Sequence, residues 1–424
     1  MASFNISAHK ETTNDRLMRS LSLLKPNPPP GRWRKMNFPD PDNNIQLHLN
    51  RLGAPQLLSE YLAWIPFDRF TDVGMLVRGG FSVVWKGTVK PLDSRGWASY
   101  VPKQLPSWKR WWNNIAVEKR RFPLPEEVGY EPNYAYNHVP RTYALKEIED
   151  FMLPELLYEQ LTLQIHIASS GAMPQVIGLS QTNSGKYVMV MTYAVEGNLE
   201  NTKLEIRSWD VVYQYAYWLA KSLCTIHKAG FTHGDLHPGN IVFYDECFAA
   251  IIDVGLGKCF EDANGKSFYG RIEYLPPEIF EEAPYTAASD IYSLGTLLWQ
   301  MVTRVPPQST AEKAINTRSD RLREEMIPGA PRIFEDIVRS CWNPDPAQRP
   351  EAQELVDRLY KKFNLKMPFS DVTNAFIAKR QAAHQQQQQS NSFNFTPSSL
   401  SRFHTLEELR GQINASTGNG EIPN

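Results

Sequence analysis

The chain has 424 residues, 42% of them apolar and 21% charged, with a formal net charge of −1. That is enough chain for one large two-lobed domain, or two ordinary ones, with tails, and it carries no global field that would draw it to nucleic acid or an anionic membrane. Its four cysteines, Cys224, Cys247, Cys259 and Cys341, form no Cys-x-x-Cys pair, which argues against a zinc site or disulfide framework and for a reducing, intracellular setting.

In chain order, residues 1–55 are polar and include the Pro-rich KPNPPPGRW, so a mostly disordered segment is expected there. No apolar signal core opens the sequence. The runs VVWKGTV, TYALKEI and KYVMVMTYA read as short strands. Between the first two lies the long stretch 88–141, with Trp108, Trp111 and Trp112 beside Lys109, Arg110, Lys119, Arg120 and Arg121. Loops of this length without function are uncommon, so it offers a partner contact. The competing reading packs the tryptophans on the β-rich part and leaves the charges solvated.

A helix is expected from about Pro154, and DVVYQYAYWLAKSLCTIHKAG has helical spacing closed by Gly230. DIYSLGTLLWQMVTR reads as a buried helix too short and too polar to span a bilayer. PEAQELVDRLYKKFN reads as a last helix of the folded body. Strands first and helices afterwards give an α+β class, a small β-rich lobe followed by a larger helical one. The domain is expected over 56–364, with the first lobe ending near 194. The Gln/Ser-rich remainder, 365–424, reads as a mostly disordered tail, in which TLEELRGQI offers a short helix or a frayed end.

The chemistry concentrates in HGDLHPGNIVFYDECFAAIIDVGLGK, His233 to Lys258. Asp235 can accept a hydroxyl proton, and Asn240, five residues on, offers an amide oxygen. Asp253 follows an apolar run at what reads as a strand end. Mg²⁺ prefers a few such oxygens together with phosphates and waters. The set suits phosphoryl transfer from ATP, which needs an orienter for the acceptor and ligands for the triphosphate's metal. Singly, each would be an ordinary turn residue. Upstream, Lys146 in YALKEI can pair phosphates if a carboxylate holds it. Glu159 is the chosen partner, with Glu155 left as a first-turn charge.

These motifs resemble those of the protein kinase family, in its catalytic-loop and metal-binding segments. The resemblance covers about residues 66–363. It implies a two-lobed protein-kinase-like fold with ATP and Mg²⁺ as cofactors and a protein as substrate. VRGGFSVVWKG then stands for the phosphate-covering turn, with Gly79, Gly80, Phe81 and Ser82 at its tip. Of the family's three glycines only Gly79 is kept, Val77 and Ser82 replacing the others. By the same resemblance Val84 and Ala144 lie over adenine and Val242 beneath it. Met191 is the gatekeeper, and Thr192, Tyr193 and Ala194 form the hinge. His233 is a structural hub. Glu278 of YLPPEI pairs with Arg349 of CWNPDPAQRP, and Asp290 of SDIYSLG holds the catalytic-loop backbone.

WIPFDRFTDVGMLVRGGFSVVWKG, YAVEGNL, AASDIYSLG and CWNPDPAQRP look most like the tyrosine-kinase-like branch, and in particular a group expanded in glomeromycete fungi. Members of that branch usually phosphorylate Ser or Thr. The sequence departs from the family at Gly234, Val254, His237 and Arg271, where an Arg, a Phe, a Lys and a Thr are common. The expected function is therefore a cytoplasmic protein kinase favouring Ser or Thr over Tyr, the nucleus also being open, with no transmembrane segment and no nucleic-acid partner. Two alternatives remain. The altered glycine turn allows a pseudokinase scaffold that binds partners, and HGDLHPGN also resembles small-molecule phosphotransferases. The activation-segment and platform motifs argue against the latter.

Overall fold

In the computed structural model of the chain, residues 18, 21–24, 38, 40–78, 83–89, 141–148, 154–169, 176–245, 248–254, 267–308, 322–360, 367–390 and 402–405 are described. Helix α1 (Asn44–Leu52) precedes a six-stranded sheet. Its strands are β1 (Ala63–Trp64), β2 (Phe70–Arg78), β3 (Val83–Val89), β4 (Arg141–Glu147), β5 (Val176–Gln181) and β6 (Tyr187–Thr192). Their order is β1-β5-β6-β4-β3-β2. The β1–β5 pair is parallel and the others antiparallel.

Side chains alternate across a strand, and this sheet uses both faces. Tyr143, Leu145, Val188 and Val190 pack on one side with Ile65 and Phe70. Met189 and Met191 pack on the other, against Leu161 and Ile165 of helix α2 (Pro154–Ser169) and Ile45 and Leu49 of α1. Lys146 is the register partner of Met189, so it shares that second face.

The helical lobe is built around α3 (Trp209–Lys228) and α5 (Ala287–Thr303), with the short α4 (Pro277–Phe280) between them in sequence. Every residue from Ser289 to Thr303 is buried. A helix surrounded on all sides belongs to the core. Thr286 and Ser289 close a reciprocal capping box at its start, satisfying backbone donors that burial would otherwise strand. Helix α6 (Arg332–Cys341) crosses it at Gly295, where an added Cβ would stand 2.7 Å from Cys341 Cβ. Helix α7 (Ala352–Leu359) completes this core with Leu355 and Leu359. Strands β7 (Ile241–Phe243) and β8 (Ala249–Ile251) form a hairpin, and β9 (Ser267–Gly270) pairs with β10 (Arg402–Thr405).

The packed body reaches beyond the expected limits of 56–364. On the N-terminal side, α1 buries Ile45, His48 and Leu49. These lie one turn apart among asparagines, so the apolar stripe is too thin to read from composition. On the C-terminal side, helix α8 (Asp371–Ser390) replaces part of the expected disordered tail. Phe376 and Ile377 pack it on the helical core, Thr373 donates to the Pro328 carbonyl at 2.9 Å, and Arg380 pairs with Glu324 at 2.9 Å and lies over the Trp299 ring. Residues 1–17 lie outside the described residues, as do most of the insertion 88–141, the stretch 391–401 and residues 406–424, which hold nearly all of TLEELRGQI. Among the described residues no helix is long and apolar enough to cross a membrane.

Candidate active site

Strand β4 aims Lys146 across the sheet's inner face, where its residue is only 5% exposed. Its ammonium donates to Asp253 Oδ1 at 2.6 Å. An ammonium this deep needs a charged partner, and Asp253 supplies one. Asp253 follows β8 and takes φ +64, a left-handed conformation that costs a non-glycine residue energy and tends to persist at functional positions. The Glu159 side chain lies outside the described residues, and so do Gly79, Gly80, Phe81 and Ser82.

The loop between α3 and β7 is held from below. Asp290, at the start of α5, is fully buried and accepts four hydrogen bonds. Oδ2 takes the His233 amide at 2.7 Å and His227 Nε2 at 2.9 Å. Oδ1 takes the Gly234 amide at 3.1 Å and the Tyr285 hydroxyl at 2.8 Å. Burial alone would raise this carboxyl, but the hydrogen bond and charge of His227, with His233, hold it below the usual carboxylate range. For Tyr285 burial acts first and the Asp290 charge second, and both keep the phenol protonated.

His233 ties the loop to the strand end that carries Asp253. Its Nδ1 accepts the Asp235 amide at 3.2 Å, so Nε2 carries the proton and donates to the Ile252 carbonyl at 2.8 Å. Burial lowers its pKa despite the nearby charges of Asp290 and Asp235, in keeping with this neutral tautomer. A histidine held neutral in the fold takes up protons only on unfolding, so its contribution is complete above about pH 6.5 and is lost as pH falls below that. Stability in urea is expected to drop between pH 7.5 and pH 5.5, by up to about 1.4 kcal/mol per pH unit from this group. A His233→Gln variant that kept the wild-type slope would contradict the assignment.

Asp235 itself is buried. Its carbonyl accepts the Asn240 side-chain amide at 2.9 Å, and the Asn240 carbonyl accepts the Ile252 amide at 2.9 Å. The Asn240 nitrogen is thereby committed, which leaves the amide oxygen for a hard cation. One such oxygen and the Asp253 carboxylate are a fitting pair for Mg²⁺ that keeps waters and phosphates as its other ligands. Among the described residues no cluster of three or more His, Cys, Asp and Glu side chains forms a closed metal site. His237 accepts the Gly239 amide on Nδ1 and turns Nε2 toward Asp235 Oδ2, 3.6 Å away. Arg271 pairs with Glu200 beside this loop.

The adenine-site candidates fall on the same side as Lys146. Val84 is the register partner of Lys146, and Ala144 of Met191. Val242, on β7, is buried, with Ala194 packed against its cluster. Thr192 and Tyr193 are half-buried in the connection between the lobes. Below, Arg349 grips Glu278 with two bonds of 2.7 Å.

A family model described as protein kinase domain matches residues 135–361, more than half of the chain. The chain belongs to the protein kinase domain family. A probable serine/threonine-protein kinase of Dictyostelium discoideum is 27% identical over 192 residues, 40% of this chain and 11% of that protein. A putative mitogen-activated protein kinase kinase kinase 7-like of Drosophila melanogaster is 29% identical over 197 residues, 43% of this chain and 50% of that protein. The serine/threonine-protein kinase mos of Xenopus laevis is 25% identical over 333 residues, 72% of this chain and 80% of that protein. The matches to the first two span half or less of those relatives' own length. The α+β architecture, a sheet lobe and a helical lobe, is that of a kinase domain.

Other side chains in this kinase domain carry no local sequence signal. Glu147, next to Lys146, accepts Trp85 Nε1 at 2.7 Å and pairs with Lys186 at 3.0 Å. It points away from Lys146 and ties β3, β4 and β6 together on the other side. His227 and Tyr285 complete the Asp290 cage from positions that read as an ordinary helix end and an ordinary loop.

Proposed function

We propose that the chain is an ATP- and Mg²⁺-dependent protein kinase of the tyrosine-kinase-like branch, cytoplasmic, transferring the γ-phosphate to Ser or Thr ahead of Tyr. The observation that carries this reading is the connected set Lys146–Asp253, Ile252–Asn240 and Asn240–Asp235, joined again through His233. It gathers from both lobes the groups that phosphoryl transfer uses. The serine/threonine kinases among the relatives support the choice of acceptor.

In this reading Asp235 orients the acceptor hydroxyl and takes its proton, and Lys146, steadied by Glu159, positions the α- and β-phosphates. Asn240 and Asp253 hold the metal, whose charge offsets that of the phosphates. Val84, Ala144 and Val242 enclose adenine, Met191 guards the depth of the pocket, and the Tyr193 and Ala194 backbone reads the base edge. Gly79, Gly80, Phe81 and Ser82 cover the phosphates. His233, Glu278, Asp290 and Arg349 hold the frame. The insertion 88–141 serves a partner.

The test is transfer of radiolabelled γ-phosphate from Mg²⁺-ATP to the protein itself and to a mixed protein substrate, followed by acid hydrolysis. Label on serine or threonine is expected. Label on tyrosine alone would overturn the acceptor choice, and no label from a folded, nucleotide-binding protein would overturn the enzymatic reading.

A further inference from the structure

Strand β9 ends beside the candidate catalytic carboxylate. Gly270, its last residue, has φ +138, and a Cβ built there would stand 3.6 Å from Asp235 Oδ1. Immediately after it come Arg271 and the turn Ile272–Tyr274, leading into α4 and the Glu278–Arg349 pair. A protein that presents a hydroxyl to Asp235 must therefore run its chain past Gly270. An extended chain passing an open strand edge gains main-chain hydrogen bonds almost irrespective of sequence.

That edge is already taken. The tail segment β10 pairs antiparallel with β9: Arg402 opposite Gly270, Phe403 opposite Tyr269, His404 opposite Phe268 and Thr405 opposite Ser267. Among the described residues β9 has no other strand partner. The register sets Arg402 at the Asp235 end, and the tail leaves toward Ser267. Its tether is short. Helix α8 is fixed to the helical lobe through Arg380 and through Gln381, which donates to the Thr303 carbonyl at 3.2 Å. From its end at Ser390 to Arg402 the chain spans at most about 40 Å. A segment tethered this closely competes at an effective concentration on the order of millimolar.

We propose that Arg402–Thr405 occupies, in cis, the lane along β9 by which a protein substrate reaches Asp235, so that the tail is a built-in competitor of substrate. This rests on the phosphotransfer reading above for the identity of the lane, and its test is made independent of turnover. The full chain is compared with its Phe403→Pro/His404→Pro double variant. Proline cannot donate to a ladder, and successive residues of an edge strand alternate their donors, so two adjacent prolines interrupt the pairing in either phase.

The probe is a fluorescent peptide of residues 398–410, titrated against each protein by anisotropy. The double variant is expected to bind it about tenfold more tightly, because the apparent affinity scales with the fraction of molecules whose lane is open. The alternate β9 amides that face β10 should exchange with solvent faster in the variant. Equal affinity in the two proteins overturns the lane assignment, whether or not exchange changes. Affinity of the wild-type protein that rises on hundredfold dilution overturns the assignment in cis, since it would reveal the tail of a second copy. Tighter binding by a variant that, like the wild type, transfers no phosphate would leave the lane standing and sink the kinase reading instead.

Discussion

Asp235→Asn is expected to remove phosphoryl transfer and to leave the fold in place. The side chain is isosteric but has no basic oxygen to take a hydroxyl proton, and loss of a positioned base costs about 10²–10⁴-fold in rate. Two of the contacts that fix the residue are made by its backbone: its amide to His233 Nδ1 and its carbonyl from Asn240. Both survive the substitution. Single-turnover transfer from Mg²⁺-ATP, with the urea midpoint measured on the same preparation, separates the two effects. Transfer near the wild-type rate in a folded variant would remove Asp235 from the mechanism.

The second large effect is on stability, at Arg349→Ala. The guanidinium is fully buried and its fork meets both oxygens of Glu278. It also donates to the Asn343 and Ala288 carbonyls at 2.8 and 3.0 Å and lies over the Tyr292 ring. Removing it strands a buried carboxylate, whose other contact here is the Ser289 hydroxyl. Breaking one side of a buried pair costs about 3–5 kcal/mol, more than the pair itself contributes. Denaturant titration should show that loss, and the double variant Glu278→Gln/Arg349→Met should recover part of it. Arg349→Lys keeps the charge but loses the fork, and is expected to fall between them. A loss under about 1 kcal/mol for Arg349→Ala would mean that the site relaxes around the carboxylate. Because Glu278 sits one turn beyond Ile272–Tyr274, the same variant should loosen the platform beside Asp235 and lower transfer as well.

How far the sequence foretold these sites depends on how local they are. Asp235, Asn240 and Asp253 stand in one short stretch, and the turn and hairpin that join them are themselves short. Spacing alone therefore suggested that they meet. Lys146 could be found from its strand, but its contact with Asp253 bridges the two lobes and depends on how those lobes close. The Glu278–Arg349 bonds and the Asp290 cage link residues far apart in sequence, and only the order of motifs pointed to them. Composition misled at both ends. Helix α1 buries two aliphatic side chains among polar ones, and α8 combines the packing of Phe376 and Ile377 with the polar contacts of Thr373 and Arg380. Strand β10 could not be foreseen, because Arg-Phe-His-Thr has no pattern until β9 gives it a partner.

The hairpin that joins β3 to β4 has a different kind of consequence. Val89 and Arg141 are register partners at the ends of β3 and β4, so the chain leaves the sheet and returns to it at one point. A segment closed on such a base adds little to the cost of forming the sheet, since doubling its length costs only about 0.6 kcal/mol of closure entropy. The position thus works as a socket. Cargo of very different size can be exchanged there, by evolution or by splicing in a reporter domain, while the strand carrying Lys146 stays in register.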